Sequence, residues 1–180
     1  MNQRPHWHKN MVVKWPKDAM RKTFYPLTYQ ICVWGYNRDM ENTKHRKVQV
    51  VVIGGEELNQ LLLLQTKKDR DEHWQNVTGS VDEGETFYSA AQRELEEETG
   101  IQSELIELNL QFEFRDRWGK DVIEKVFLAK VEESVEVKIS EEEHQDFKWV
   151  YLNDLTKESF GFESNWKSYT TARDWIEDNN

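Results

Sequence analysis

Short hydrophobic runs, separated by polar or glycine-containing turns, fill much of the chain. The runs Thr28–Tyr36, Lys47–Gly55, Leu61–Thr66 and Phe147–Leu152 are rich in β-branched, aliphatic or aromatic residues. We therefore expect each of them to form a strand. Trp74–Val81 is expected to be a further short strand or an extended loop.

Two segments of alternating polarity predict a hairpin in the second half of the chain. Leu108–Arg117 and Asp121–Val131 alternate along their length and flank a turn at Trp118–Lys120. Asn165–Asn180 carries apolar residues at helical spacing, which predicts a C-terminal helix. Strands with a few interspersed helices indicate a mixed α/β domain.

An internal helix is predicted immediately after the Trp74–Val81 segment. Phe87, Ala91 and Leu95 are four residues apart, so they form an apolar stripe on one side of a helix. Thr86 suits the N-cap position and Gly100 suits the residue that ends a helix. We expect the helix to lie between these two residues.

Length and composition set limits on the class of protein. The chain has 180 residues, enough for one domain or for a domain with an arm. Its one cysteine, Cys32, cannot form an internal disulfide, and no apolar run is long enough to cross a membrane. We therefore expect a cytoplasmic protein with no membrane partner.

Charge is distributed unevenly along the chain. Residues 1–50 carry ten Lys or Arg and three Asp or Glu, whereas the whole chain has a net charge of −10. A basic segment of this kind suits either packing against the acidic remainder of the chain or of a second subunit, or binding to nucleic acid or phosphate. We favour packing, because the acidic remainder would repel a nucleic-acid backbone.

The predicted helix carries an unusual cluster of carboxylates at its C-terminal end. Glu94, Glu97 and Glu98 stand at i, i+3 and i+4, so they share one side of the helix. Like charges at this spacing repel, the helix dipole disfavours them there, and no lysine follows at i+4. A solvated acidic surface and a site for Mg²⁺ or Mn²⁺ are the two interpretations that the residues leave open.

A family resemblance favours the metal site. The segment Gly79–Ile101 resembles the Nudix hydrolase signature, G-x5-E-x7-R-E-U-x-E-E-x-G-U, where U is a bulky aliphatic residue. The fixed positions are matched by Gly79, Glu85, Arg93, Glu94, Leu95, Glu97, Glu98, Gly100 and Ile101. The resemblance implies an α/β/α sandwich with a mixed central sheet over residues 47–180. Residues 1–46 would be a basic N-terminal extension outside it, with a dimerisation strand as one role.

The same resemblance implies roles for these residues. Glu94, Glu97 and Glu98 would bind Mg²⁺, with Mn²⁺ as the alternative and the Gly79 carbonyl as an additional oxygen. Glu97 and Glu98 would also be catalytic. An ion pair between Glu85 and Arg93 would support the site by holding the loop to the helix.

Two segments, Lys67–Thr86 and Glu143–Val150, narrow the resemblance within the family. Both are similar to the bacterial dihydroneopterin triphosphate pyrophosphatases. In the Glu143–Val150 segment, the resemblance implies that Glu143 reaches the metal site as a ligand or general base, with Glu141 and Glu142 as alternatives. His144 is interpreted as a packing or hydrogen-bonding residue. A separate basic pair, Lys67 and Lys68, either contacts substrate phosphates or is an ordinary exposed strand end.

The sequence therefore predicts an enzyme. Our leading hypothesis is Mg²⁺-dependent hydrolysis of a nucleoside triphosphate or dihydroneopterin triphosphate to pyrophosphate and a monophosphate, by a homodimer. The alternative is hydrolysis of nucleoside diphosphate-sugars, dinucleoside polyphosphates or RNA 5′-triphosphate ends. A non-catalytic nucleotide sensor is disfavoured, because the signature glutamates are all present.

Overall fold

The computed structural model describes residues 12–14, 44–131 and 135–179, with the backbone alone for residues 12–14. The strand expected at Thr28–Tyr36 lies outside the described residues, as does most of the N-terminal extension. Among the described residues, no helix is both long and apolar enough to cross a membrane.

Eight strands of the described residues form one mixed sheet. In chain order they are β1 (Val12–Lys14), β2 (His45–Gly54), β3 (Gln60–Thr66), β4 (Trp74–Gln75), β5 (Val77–Ser80), β6 (Leu105–Arg115), β7 (Asp121–Lys130) and β8 (His144–Tyr151). Every run that was expected to be a strand and that lies within the described ranges is present as one, with boundaries shifted by a few residues.

Strand β2 organises the sheet. It runs parallel to β7 along one side, and on the other side it pairs antiparallel first with β5 and then, at its end, with β3. The predicted hairpin is confirmed as the antiparallel pair β6 and β7. Beyond it, β1 pairs with β6, so three residues of the N-terminal extension belong to the sheet of their own chain. Strand β8 pairs with β3.

Two helices cover the two faces of the sheet. Helix α1 (Phe87–Thr99) packs on the face that carries Val48, Val50 and Val52, and helix α2 (Glu163–Asn179) packs on the opposite face. Successive β2 side chains alternate between the two cores because a strand has a period of two. This arrangement is the α/β/α sandwich that the sequence predicts.

Both predicted ends of α1 are confirmed. The Thr86 side chain accepts a hydrogen bond from the Ser89 N–H at 3.0 Å. At the other end Gly100 has a φ of 70°, in the left-handed region that suits glycine, and its N–H donates to the Glu96 carbonyl at 2.8 Å. The carboxylate cluster therefore lies in the last two turns of a well-capped helix.

Candidate functional site

The acidic side chains of helix α1 lie at the boundary between the protein core and the solvent. Glu94 and Glu98 expose only 8% and 2% of their surface, whereas 60% of the Glu97 side chain is exposed. Leu95, beside them, is fully buried and anchors this part of the helix on the sheet. The acidic side of α1 thus contains two buried carboxylates and one that is exposed at the surface.

Arg93 balances much of this negative charge. Its guanidinium contacts Glu85 at 3.0 Å, Glu94 at 2.8 Å and Glu97 at 3.0 Å, and donates to the Ser80 carbonyl at 2.9 Å. The ion pair expected with Glu85 is therefore present, and its hydrogen bond lowers the pKa of Glu85.

The contacts of Arg93 with the other two glutamates were missed at the sequence level. The sequence has no lysine four residues after the glutamates, and the compensating cation in the structure is Arg93, four residues before Glu97. Arg93 and Glu97 at i and i+4 are the signal that would have found it.

Gly79 lies directly against Glu94. A Cβ atom at residue 79 would overlap the carboxyl end of the Glu94 side chain. The glycine is required here for close approach rather than for an unusual backbone angle. The residue expected to offer a carbonyl oxygen is thus next to one of the expected ligands.

A loop that we call the capping loop, Lys138–His144, closes the C-terminal end of α1. The Lys138 N–H donates to the Thr99 carbonyl at 2.8 Å, and the Ser140 N–H donates to the Glu98 carbonyl at 3.1 Å. These carbonyls have no partner inside the helix, so the loop satisfies them. Glu143 and His144, at the end of this loop, lie next to the acidic side of α1.

The buried carboxylates influence one another. Burial raises the pKa of Glu98 to about 7; the neighbouring His144 opposes the rise, and the charges of Glu143 and Glu94 add to it. Burial also raises the pKa of Glu94, against the effect of Arg93, and Glu97 and Glu143 contribute. Of the three loop glutamates, Glu143 is the one whose charge acts on both buried carboxylates.

The donor set fits a hard divalent cation, because the candidate ligands are all carboxylate or carbonyl oxygens. Oε2 of Glu98 is also a buried acceptor without a hydrogen bond in the described part of the chain. Arg93, however, holds one oxygen each of Glu94 and Glu97. Among the described residues no three His, Cys, Asp or Glu side chains converge as a ready metal-binding group. A cation bound here would therefore compete with Arg93 for Glu94 and Glu97.

A basic residue that the sequence analysis left out lies beside the candidate base. Arg70 contacts Glu143 at 3.0 Å, and both side chains are about half exposed. Arg70 belongs to a short 3₁₀ helix, Lys68–Arg70, and Lys67 is its N-terminal flanking residue. The prediction stopped at the Lys67–Lys68 pair, although the third basic residue follows two positions later.

A second buried polar cluster lies on the α2 face of the sheet. Asn76 donates to Gln49 at 3.1 Å, and Gln49 donates to Glu124 at 3.2 Å. The Asn76 N–H donates to the Asn165 side chain of α2 at 2.6 Å. Burial raises the pKa of Glu124 to about 7. This cluster joins β2, β7 and α2, and was missed because single polar residues inside apolar runs were not considered.

Comparison with known proteins identifies the family of this chain. The family model described as the NUDIX domain matches residues 43–171, which is well over half of the chain. The chain belongs to the Nudix family of hydrolases. Members of this family hydrolyse phosphoric anhydrides and generally use divalent metal ions.

Curated relatives of this Nudix chain include the dihydroneopterin triphosphate diphosphatase of Escherichia coli (strain K12). It is 50% identical over 52 residues, which are 29% of this chain and 34% of that protein. The match thus spans about a third of the length of this relative. The protein of the same name from Haemophilus influenzae is 33% identical over 125 residues, covering 62% of this chain and 77% of the relative.

Solved structures support the same fold. A binary complex of a Caenorhabditis elegans Ap4A hydrolase superimposes with a TM-score of 0.60 at 25% identity. The superposition covers 74% of this chain and 98% of the other.

Proposed function

We propose that this Nudix protein hydrolyses a pyrophosphate bond of a nucleoside triphosphate or of dihydroneopterin triphosphate with Mg²⁺. The products would be pyrophosphate and a monophosphate. The observation that carries the proposal is the meeting of the acidic side of α1 with the capping loop, which brings Glu143 close enough to act on Glu94 and Glu98. The names of the two diphosphatase relatives support the substrate class.

The carboxylates of α1 would hold the cation. Glu94, Glu97 and Glu98 are the proposed ligands, with the Gly79 carbonyl as an additional oxygen and Mn²⁺ as an alternative ion. When bound, the cation would neutralise charge on the phosphate oxygens. Because Glu94 and Glu98 are buried, the exposed Glu97 is the proposed ligand with the most room to reorient.

The remaining groups would act on water and on the phosphates. Glu143, at the surface of the site, would accept the proton of the attacking water, with Glu97 or Glu98 as the alternative base. Arg70, Lys67 and Lys68 are the proposed contacts of the substrate phosphates. Binding of a phosphate by Arg70 would release Glu143 from the ion pair that holds it now.

Turnover of a substrate panel tests the proposal. Purified protein is incubated with dihydroneopterin triphosphate, dATP and the other nucleoside triphosphates, with and without Mg²⁺, and the products are identified by ³¹P NMR in ¹⁸O-water. We expect Mg²⁺-dependent release of pyrophosphate, and loss of most of the turnover in folded Glu97→Gln and Glu98→Gln variants. Near-normal turnover in both variants would contradict the assigned roles.

A second candidate substrate class is the dinucleoside polyphosphates. The structural likeness to an Ap4A hydrolase favours it. Including Ap4A in the panel separates the two: asymmetric cleavage would give ATP and AMP. A rate on Ap4A well above that on every triphosphate would replace our first choice.

We also propose that residues 47–180 form the catalytic domain and residues 1–46 an extension that contributes to a homodimer. The family match starting at residue 43 supports the boundary. Analytical ultracentrifugation of the full chain and of a chain without residues 1–26 tests the second part, since a dimerisation segment would change the mass in solution.

A further inference from the structure

The buried contact between His144 and Glu98 is not explained by packing alone. Nε2 of His144 lies 3.1 Å from Oε2 of Glu98, and the two side chains expose 1% and 2% of their surface. Neither atom meets hydrogen-bond geometry with any described residue, the other included, so the pair is a close polar contact. Two polar groups without other partners therefore face each other in the interior, at the end of the helix that carries the acidic cluster.

The backbone around His144 is fixed from two directions. Its N–H donates to the Ser140 carbonyl at 2.9 Å, inside the capping loop that is tied to the end of α1. As the first residue of β8, His144 also pairs with Thr66 of β3. The backbone of His144 is thus fixed at two points, and its buried imidazole lies next to the Glu98 carboxylate.

We propose that His144 is a positioning residue for the cation site: its contact with Oε2 of Glu98 would orient that carboxylate and leave the second oxygen available to a cation. The inference rests on the proposed function, because it takes Glu98 as a ligand. It gives a specific role to a residue that the sequence predicts to serve in packing or hydrogen bonding. Loss of a side chain that orients a metal ligand typically lowers the metal affinity by about 10- to 100-fold.

The capping loop gives the contact a second consequence. Glu143 directly precedes His144, the first residue of β8, so the placement of His144 also fixes where Glu143 lies. One anchored loop would then place a ligand-orienting group and the proposed base together. Loss of the imidazole should accordingly affect kcat as well as the affinity for the cation.

Mn²⁺ binding to the full-length chain, followed by electron paramagnetic resonance, tests the inference without relying on turnover. Wild type, Glu98→Gln, His144→Leu and His144→Gln are titrated, and thermal unfolding of each is recorded. Leu155→Ala is the matched control, because Leu155 is buried on the opposite face of the sheet and far from the acidic cluster. His144→Asn, whose amide is too short to reach Glu98, replaces His144→Leu if the latter does not fold.

We expect wild type to bind Mn²⁺ and Glu98→Gln to bind it much more weakly. His144→Leu should weaken binding about 10- to 100-fold, whereas His144→Gln, which offers an N–H at a similar distance, should restore it. Leu155→Ala should lower the unfolding temperature with no change in Mn²⁺ affinity.

The outcomes separate the inference from the proposed function. Normal Mn²⁺ binding by His144→Leu, alongside weak binding by Glu98→Gln, would refute the positioning role and leave the metal site standing. Equally weak binding by His144→Gln and His144→Leu would also refute it, since the role would then be structural. Absence of binding in wild type would overturn the proposed site, and this inference with it.

Discussion

At the scale of single residues, the site depends on close approach and on shared charge. Arg93 forms ion pairs with three glutamates, and the absence of a side chain at Gly79 leaves room for Glu94. Each of these residues therefore acts through a neighbour rather than by itself. Substitutions at this scale should affect the geometry of the carboxylates before they affect the fold.

Gly79→Ala should reduce turnover more than it reduces stability. The added methyl group would overlap the carboxyl end of Glu94, and the side chain has to move to make room. We expect a loss of kcat of at least tenfold, since a displaced ligand lowers metal affinity by about that factor. Steady-state kinetics over a range of Mg²⁺ concentrations measures it. Gln92→Ala, at an exposed position of α1, is the control for substitution in the same segment.

Arg93→Ala should destabilise the protein, because it leaves the half-buried Glu85 and the buried Glu94 without their cation. We expect a loss of about 1–3 kcal/mol in the free energy of unfolding, measured by urea denaturation. Arg93→Lys should recover part of it, since lysine keeps the charge but cannot contact three carboxylates through one planar group. An unchanged midpoint in Arg93→Ala would contradict this account.

Glu124 should make stability depend on pH. Its pKa rises from 4.5 to about 7 on folding because the carboxyl is buried, so the folded state binds the proton more tightly than the unfolded state. The contribution of Glu124 to stability is therefore retained below about pH 4.5 and lost as the pH rises to about 7. The free energy of unfolding of Glu124→Gln, relative to that of wild type, should be about 2–3 kcal/mol larger at pH 8 than at pH 5.

Thermal and urea unfolding of wild type and Glu124→Gln at both pH values measures this difference. Glu96→Gln is a suitable control, because Glu96 is an exposed carboxylate on α1. If the difference between wild type and Glu124→Gln were the same at both pH values, the buried carboxyl would not be protonated on folding.

At the scale of elements, helix α1 and the capping loop form one unit. Thr86 and Gly100 close the helix at its two ends, and the backbone of the capping loop supplies donors to the last carbonyls. The acidic cluster is therefore held in a helix whose end is not free to fray. This explains how carboxylates are tolerated at the negative end of the helix dipole.

Thr86→Ala should cost about 1 kcal/mol of the free energy of unfolding, because it removes the side-chain acceptor of the Ser89 N–H. Thr86→Ser should keep most of that stability. Turnover per folded molecule should stay close to wild type in both, since the cap lies at the opposite end of α1 from Glu97 and Glu98. Urea denaturation and active-site titration measure the two effects separately.

At the scale of the whole molecule, the outer edge of the sheet depends on the N-terminal extension. Strand β1 pairs with β6 at Gln111, Phe112 and Glu113, and so covers part of that edge. Removing residues 1–14 should expose unpaired backbone groups of β6 and increase association with concentration. Light scattering of the full and shortened chains measures it; identical behaviour would show that β1 has no protective role.

The sequence by itself determined the elements and their chemistry. Periods of two and of about 3.6 in hydrophobic residues set the strands and α1, and Thr86 and Gly100 marked both ends of the helix, because these signals are local. The spacing of Glu94, Glu97 and Glu98 placed them on one side of α1 for the same reason.

Only the tertiary structure decided which groups meet. The pairing of His144 with Glu98, the contact of Arg70 with Glu143 and the burial of Glu124 join residues far apart in the chain, and no local pattern encodes such distances. Burial is likewise a property of the packed sheet and helices: it separates Glu94 and Glu98, enclosed and with raised pKa values, from Glu97, which stays in water. The sequence thus names three candidate ligands, and packing divides them into two buried carboxylates and one exposed carboxylate.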